Sequence, residues 1–281
     1  MSPIHDQSYR RYSGTRLPVG RSWAVIARTG IRGMIEKKAF LALMIFAWIP
    51  FVVRCVQLYI VANYPQAGAL VAVDAKMFRD FLDQQAVFVF FTTIYVGAGL
   101  IAADRRANAL QIYLSKPLLR MEYVGGKLLI LVSFLLGVTL LPAILLILMQ
   151  VAFSGSLTFI WNNLFVVPAV VLASLVQVIV ASFTMLALSS LSKSSRYVAL
   201  LYTGAIFFTE ALFNALALIT RSTRVAWISI TANLHQVVDA IFRMPARYET
   251  PTLVSLLVLV ALVALSISVL ERRVKGVEVV S

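Results

Sequence analysis

Six long apolar stretches restrict this chain to very few folds. Each holds about 20 mainly apolar residues, the length that an α-helix needs to cross the hydrocarbon core of a bilayer. They lie at residues 39–61, 85–103, 128–152, 164–188, 197–218 and 252–270. Because lipid offers no hydrogen-bond partners, each segment must satisfy its own backbone, so the pattern predicts six transmembrane helices.

The composition points to lipid as the main solvent. Of the 281 residues, 60% are hydrophobic and 13% are charged, whereas soluble domains have about 25% charged residues. The net charge of +13 is spread in short runs between the apolar stretches. That spacing is typical of contact with anionic lipid and argues against nucleic-acid binding. We therefore predict an all-α integral membrane protein with membrane lipids, and no nucleic acid, among its partners.

The distribution of Lys and Arg predicts the orientation. If the N-terminus lies inside, the inner segments carry 18 of these residues and the outer segments carry 6. Inner loops are the ones enriched in positive charge. We expect both termini in the cytoplasm, with a flexible N-terminus at 1–22, one transmembrane domain at 23–270 and a C-terminal tail at 271–281.

Helical periodicity also occurs outside the six stretches. Before the first one, apolar and charged residues form separate stripes, which predicts an amphipathic helix on the inner membrane surface. The apolar stripe contains Trp23, Ile26, Ala27, Ile31, Met34 and Ile35. On the outer side we expect short helices, including one after the fifth stretch that lies on the surface or forms a re-entrant hairpin. Within the stretches, Pro50, Pro142 and Pro168 are candidate kinks.

The loop after the second stretch carries the most specific sequence pattern. An acidic-basic group closes the stretch, an amphipathic segment and a Lys-Pro turn follow, and a Tyr and a Gly-Lys pair open the third stretch. The residues are Leu100 to Arg106, Leu114 to Leu118, Glu122-Tyr123 and Gly126-Lys127. This arrangement resembles the permease subunits of type-2 ABC exporters, as do the six stretches and the C-terminal Glu271 to Gly276.

The resemblance implies a division of labour between chains. Two permease copies, expected as a homodimer in a bacterial inner membrane, would form the translocation pathway. Two separate cytoplasmic ATPase subunits would bind a coupling helix in the first inner loop. In this sequence that role maps onto Asp104, Arg105, Arg106, Leu110 and Tyr113.

The residues support part of this division: if ATP drives the protein, the ATPase must be another chain. Gly126-Lys127 is followed by Leu128, and Met121 replaces the first Gly of a phosphate-binding loop, so this chain lacks the backbone cradle for phosphates. We expect no cofactor on this chain, with ATP and Mg on the partner ATPase. For Arg105 and Arg106, ordinary inner-side charge remains an alternative, and Asp104 could cap a helix.

Two charged residues interrupt the apolar stretches. Glu210 shares a helical face with Thr203 and Asn214, and Arg54 lies at a similar depth in the first stretch. A charge in lipid needs a partner or a wet cavity. We hypothesise a pathway site with an Arg54–Glu210 ion pair, within one chain or across two copies. The alternatives are a structural hydrogen bond for Glu210 and an Arg54 side chain that reaches the headgroups.

Other polar residues receive plainer interpretations. Gln177 is expected to hydrogen-bond between helices, and His235 to lie solvated on an interfacial helix. Four outer arginines oppose the charge rule, although long loops escape that rule. They are Arg221, Arg224, Arg243 and Arg247.

Three competing functions remain open at this point. A secondary transporter or channel would need more intramembrane charge and broken helices. An integral membrane enzyme acting on lipids would need clustered acids, bases or metal ligands, which the sequence does not show. A membrane anchor or assembly factor is the third possibility.

Overall fold

The computed structural model describes residues 22–64, 73–109, 119–155 and 158–274. All regular elements in these residues are helical, and six of their helical segments are long and apolar enough to cross a membrane. The six segments are Lys38–Asn63, Ala75–Arg106, Arg120–Ser154, Val166–Leu191, Ser195–Thr220 and Thr252–Arg273. The prediction of a multi-pass α-helical membrane protein is confirmed at this level.

The six spans are built from shorter helices, which we number in chain order. They are α1 Ser22–Ile35, α2 Lys38–Ala47, α3 Ile49–Asn63, α4 Ala75–Thr92, α5 Ala102–Arg106, α6 Arg120–Val138, α7 Leu140–Ser154, α8 Thr158–Asn162, α9 Val166–Leu191, α10 Ser195–Thr220, α11 Ile230–Ile241 and α12 Thr252–Arg273. A π-helical turn follows α4 at Thr93–Gly97, and a 3₁₀ helix precedes α11 at Thr223–Ile228.

Two of the three prolines coincide with breaks in their spans. Pro50 lies in the first turn of α3, and Pro142 lies in the first turn of α7. A proline ring clashes with the carbonyl one turn earlier and removes one backbone donor, so the preceding helix ends just before it. Pro168 lies in the first turn of α9, where a helix tolerates proline.

The second span begins ten residues earlier than the sequence predicts. Met77 and Phe81, which recur at helical spacing in the segment that the sequence assigns to an outer loop, belong to α4 itself. Asp74 caps this helix by accepting a hydrogen bond from the Met77 amide at 3.0 Å. Hydropathy misses these extra residues because several of them are charged. Inside the fold the Arg79 guanidinium pairs with Asp80 and Asp83 of the same helix and with Asp239 of α11.

Helix α9 is the central element of the bundle. It packs against α4, α6, α10, α11 and α12, and half of its most apolar stretch is buried. Helix α10 is the opposite case, with only 6% of that stretch buried inside the chain. The π turn brings α4 close to α9, since a Cβ on Gly97 would meet Met185 at 2.4 Å.

The spans alternate in direction, so their ends gather on two sides of the bundle. We call the side that carries the first turns of α4 and α12 the Asp83 side, after Asp83 in α4. We call the opposite side, where α5 meets the end of α9, the Asp104 side, after Asp104 in α5.

The 3₁₀ helix and α11 form a re-entrant hairpin on the Asp83 side. Its apex, Ser229, bonds to Glu210, ten residues before the end of α10, a depth of about 15 Å. Helix α11 packs its apolar face, including Leu234 and Val237, on Val180 in the middle of α9. The hairpin therefore folds between the helices of the bundle, as the re-entrant one of the two expected arrangements requires. Its position in the membrane stays a prediction.

Helix α1 packs along the beginning of α6. A Cβ on Gly126 would lie 2.9 Å from Ile26 and 3.0 Å from the Trp23 carbonyl oxygen, and a Cβ on Gly30 would lie 2.1 Å from Ile130. The apolar stripe expected for α1 therefore faces the bundle in part, with Ala27 buried, while Arg28 and Arg32 are exposed. The predicted placement of α1 on the inner membrane surface stays a prediction.

Candidate functional sites

Three side chains join α5 to α6 on the Asp104 side, and we call them the Asp104 joint: Asp104, Tyr123 and Lys127. The Lys127 ammonium lies 2.7 Å from Asp104 Oδ2, and the Tyr123 hydroxyl donates to the same oxygen at 2.8 Å. All three are largely buried. A charge-assisted bond to a carboxylate is stronger than a neutral one, so the joint fixes α5 on the first turns of α6.

Ser189 ties the same region to the end of α9. Its hydroxyl oxygen accepts from the backbone amides of Ile101 and Ala102 at 3.1 and 3.0 Å, and it donates to the Ala98 carbonyl at 3.0 Å. Arg105 donates to the carbonyl of Ser190. Backbone groups between the π turn and α5, which no helix satisfies, thereby gain partners in a buried position.

The structure brings together part of the predicted coupling set. Asp104 and Arg105 bond to α6 and α9 as described, and Arg106 is exposed. Leu110 and Tyr113 lie outside the described residues. Asp104 lies in the first turn of α5, and its carboxylate joins α5 to α6. The helix that it could cap, expected after it in the sequence, lies largely outside the described residues, so that alternative stays a prediction.

A larger charged group lies on the Asp83 side, and we call it the Asp83 cluster: Arg79, Asp83, His235, Asp239 and Arg247. Its central acid is Asp239 in α11, of which 1% is exposed. Arg247 donates to both oxygens of Asp239, at 2.6 and 2.9 Å, and to Asp83 at 2.5 Å. This bidentate geometry is the strongest arrangement available to an arginine and a carboxylate.

Arg79 adds a second guanidinium from α4. Its Nη1 lies 3.5 Å from Asp83 and 3.5 Å from Asp239, while its Nε lies 3.2 Å from Asp80. The cluster therefore links α4, α11 and the 243–251 segment in one network. A buried charge is tolerated when it is paired and hydrogen-bonded, and here each buried acid contacts two arginines.

The charged groups change the titration of their neighbours outside the spans. Burial disfavours the charge of Arg247, but its hydrogen bonds to Asp239 and Asp83 raise the pKa of Arg247 above its ordinary value. Burial also raises the pKa of the Tyr248 hydroxyl, and the Glu210 carboxylate adds to that shift. Arg247 is thus fixed as a cation at the centre of the network.

His235 is half-buried, which corrects the expectation that it is solvated. Its Nε2 lies 3.9 Å from Asp83 Oδ1, and a quarter of its side chain is exposed. Burial lowers the pKa of His235, while the charges of Asp83, Asp239 and Glu210 oppose that shift. The helix that carries it folds into the bundle and leaves the imidazole between α4 and α9.

Glu210 belongs to the apex of the hairpin. It accepts a hydrogen bond from the Ser229 hydroxyl, which also caps α11 by accepting from the Ala232 amide at 3.0 Å. The carboxylate therefore lies beside the N-terminus of α11, where the helix dipole favours a negative charge. Among the predicted companions of Glu210, Thr203 is half-buried and Asn214 is exposed.

The hypothesised ion pair between Arg54 and Glu210 does not form within the chain. Arg54 donates to Gln57 on its own helix at 3.1 Å, and Glu210 bonds to Ser229. The two charges lie on α3 and α10, which pack on different neighbours. Pairing between two copies of the chain stays a prediction.

The outer arginines other than Arg247 have local roles. Arg224 lies 3.6 Å from Glu249 in an exposed pair. Arg243 lies over the ring of Phe165, with 4.8 Å between guanidinium carbon and ring centre. Arg221 ends α10 with a left-handed φ of 51°. The Asp83 cluster itself was missed because Arg79, Asp83 and Asp239 look like ordinary loop charges when α11 is read as a surface helix.

Comparison with known proteins adds no family. A scan against protein-family models and a search of curated proteins both find no match for this chain.

Proposed function

We propose that this chain is the membrane-spanning subunit of an ATP-driven exporter. Two copies would form the translocation pathway, and separate ATPase subunits, which carry ATP and Mg, would bind on the Asp104 side. That side is the cytoplasmic one by the excess of Lys and Arg in its segments.

The observation that carries the proposal is the double attachment of α5. Asp104 bonds to α6 through Tyr123 and Lys127, and Arg105 bonds to the end of α9. The segment that leaves α5 and returns at α6 is therefore anchored at both ends to the most buried spans. A partner that displaced this segment would move α4, α6 and α9 together, which is what a coupling element requires.

Site-specific crosslinking tests the docking surface. A photoreactive residue in place of exposed Arg106 should crosslink to a protein with a phosphate-binding loop, identified by mass spectrometry. The matched control replaces exposed Arg221 on the Asp83 side, which should give no such product. Equal crosslinking from both positions, or none from Arg106, would contradict docking on the Asp104 side.

Reconstitution of this chain in liposomes, together with the ATPase that the crosslinking identifies, tests the coupling between the two proteins. The permease should stimulate ATP hydrolysis by its partner, and replacing Asp104 with Asn and Arg105 with Ala together should abolish most of the stimulation. Full stimulation by the double variant would contradict the role of the joint. A panel of lipids, drugs and peptides in the same assay would identify the substrate class.

A secondary transporter is the second candidate, and two observations favour it. Charges are buried on the Asp83 side, and two spans are broken at Trp48 and Thr139. Transporters of that class use broken helices and buried charge. The candidates separate in sealed vesicles, because transport without ATP under an imposed ion gradient would favour the second.

A further inference from the structure

Two adjoining cavities lie along α11 and begin at Asp83 and His235 of the Asp83 cluster. They leave room of about 40 and 80 Å³ for water-sized molecules, and both are lined by Ala86, Gln177, Thr231 and Leu234. Asp83 and His235 line the first, and Thr184 and Tyr202 line the second. About 10–15 Å³ of such room holds one water molecule, so both are large enough for several. Most of their lining is apolar, with polar side chains at a few positions.

Thr184 shows that the second cavity has an unsatisfied polar wall. Thr139, Thr209 and Thr220 each donate to the carbonyl four residues earlier on their own helix. Thr184 is 7% exposed, and its hydroxyl has no partner among the described residues. A buried hydroxyl without a hydrogen bond destabilises the fold, and a water molecule in the cavity would supply the missing partner.

Gln177, which lines both cavities, also supports the presence of water in the first one. It was expected to bond to another helix, but within the described part of the chain its amide lines both cavities and makes no such bond. An amide and the Thr231 hydroxyl along one wall give water two to four polar partners, as an ordered site requires.

Burial lowers the pKa of His235, and the carboxylates around it oppose that effect. The charged groups that act on it come from α4, α10, α11 and the 243–251 segment: Asp83, Glu210, Asp239 and Arg247, with Tyr248 nearby. Arg79 binds two of these acids and also Asp80. Carboxylates outnumber guanidiniums in either count, so the surroundings retain an excess of negative charge.

We propose that these cavities form one hydrated proton-binding site whose acceptor is His235. A hydronium ion in the cavity transfers its proton to the unprotonated imidazole nitrogen, which leaves a neutral water molecule and an imidazolium. The imidazolium pairs with Asp83, whose Oδ1 already lies 3.9 Å from Nε2. Thr184, Gln177 and Thr231 hold the water that carries the proton. The site does not depend on either candidate function.

Titration of the imidazole by NMR tests the site directly. The sequence has two histidines, so the His5→Gln variant of the full chain, in lipid nanodiscs, leaves His235 as the single ¹⁵N-histidine signal. We expect His235 to titrate with a midpoint below the ordinary value of 6.5, because burial lowers its pKa. Absence of any titration between pH 4.5 and 8 would overturn the proposal.

A matched pair of threonine variants tests the water. Thr184→Val should dry the second cavity and shift the His235 midpoint further down, because the charged form loses hydration. Thr209→Val is the control, since its hydroxyl bonds to Ala205 at 2.8 Å, and it should leave the midpoint unchanged. An identical His235 midpoint in Thr184→Val and in the parent protein would overturn the proposal that water held by Thr184 hydrates the imidazolium.

A measurement on the unaltered cavity covers the case in which Thr184→Val does not fold. Magnetisation transferred from water in solid-state NMR should reach the Thr184 and Thr231 side chains as quickly as it reaches exposed threonines. Transfer as slow as that to buried Thr139, whose hydroxyl bonds to its own helix, would show a dry cavity and overturn the proposal.

Discussion

The two sides of the bundle are held together by different chemistry. On the Asp83 side, arginines and carboxylates from α4, α11 and the 243–251 segment form the main links. On the Asp104 side, glycines bring α1 close to α6, and α5 is held by Ser189, Arg105 and the Asp104 joint. The difference follows the extent of irregular backbone, because backbone groups outside a helix need polar partners. On the Asp83 side the 3₁₀ helix, α11 and the 243–251 segment need such partners, whereas on the Asp104 side a short break between the π turn and α5 needs them and helices pack through small residues.

The largest effect should come from breaking the charged side. Asp239→Asn leaves Arg79 and Arg247 without their buried acid, and removing one partner of a buried ion pair typically costs about 3–5 kcal/mol. Reversible unfolding of the purified protein in mixed micelles would measure the loss. Glu249→Gln is the control, because that carboxylate lies in an exposed pair. Equal losses from the two variants would contradict the central position of Asp239.

The second effect should come from separating α1 from α6. Gly126→Ala places a methyl group against Ile26 and the Trp23 carbonyl, and overpacking of this kind costs about 1–3 kcal/mol. The neighbouring Gly125 has nothing within 4 Å of its added Cβ, so Gly125→Ala should keep or slightly raise stability. In a background that keeps Trp23 as the single tryptophan of the four, its fluorescence should shift to the red only in Gly126→Ala, and equal shifts would contradict the close contact.

The third effect concerns the hydroxyl of Ser189. Ser189→Ala leaves the amides of Ile101 and Ala102 unpaired in a buried position, which should cost about 1–3 kcal/mol in the same unfolding experiment. Ser133→Ala serves as the comparison, because Ser133 bonds only to Leu129 on its own helix. We expect a change of at most about 0.5 kcal/mol there. If Ser189→Ala leaves the free energy of unfolding unchanged, the hydroxyl of Ser189 does not stabilise the Asp104 side.

The smallest effect should come from the exposed pair on α1. Arg32 and Glu36 lie 3.2 Å apart, one turn from each other, and both are exposed. Arg32→Ala should change unfolding by less than about 0.5 kcal/mol. A loss as large as that of Asp239→Asn would show that exposure does not separate weak from strong ion pairs in this protein.

The six spans were predictable because apolar length is a local property of the sequence. The Arg54–Glu210 pairing was not, because depth in a membrane says nothing about which helices are neighbours. The Asp83 cluster escaped for a related reason. Asp83 and Arg247 are 164 residues apart, and only the re-entrant path of α11 brings them together.

At the Asp104 joint the sequence was more informative. Asp104, Tyr123 and Lys127 belong to the pattern that suggested a coupling loop, and the structure places them in contact. Ser189 and Ser190 gave no such signal, because serines are common near helix ends and their partners lie almost 90 residues away. Sequence periodicity can identify the buried face of a helix, but it cannot identify which other helix packs against that face.

The π turn at Thr93–Gly97 sets the phase between the two ends of one span. A π turn holds one residue more than the α-helix around it, and one residue corresponds to about 100° of rotation. Asp83 and Asp104 stand before and after that insertion. Deleting one residue from this turn would rotate one carboxylate away from its own partners. The two ends of the span can therefore both keep their ion pairs only with the extra residue in place.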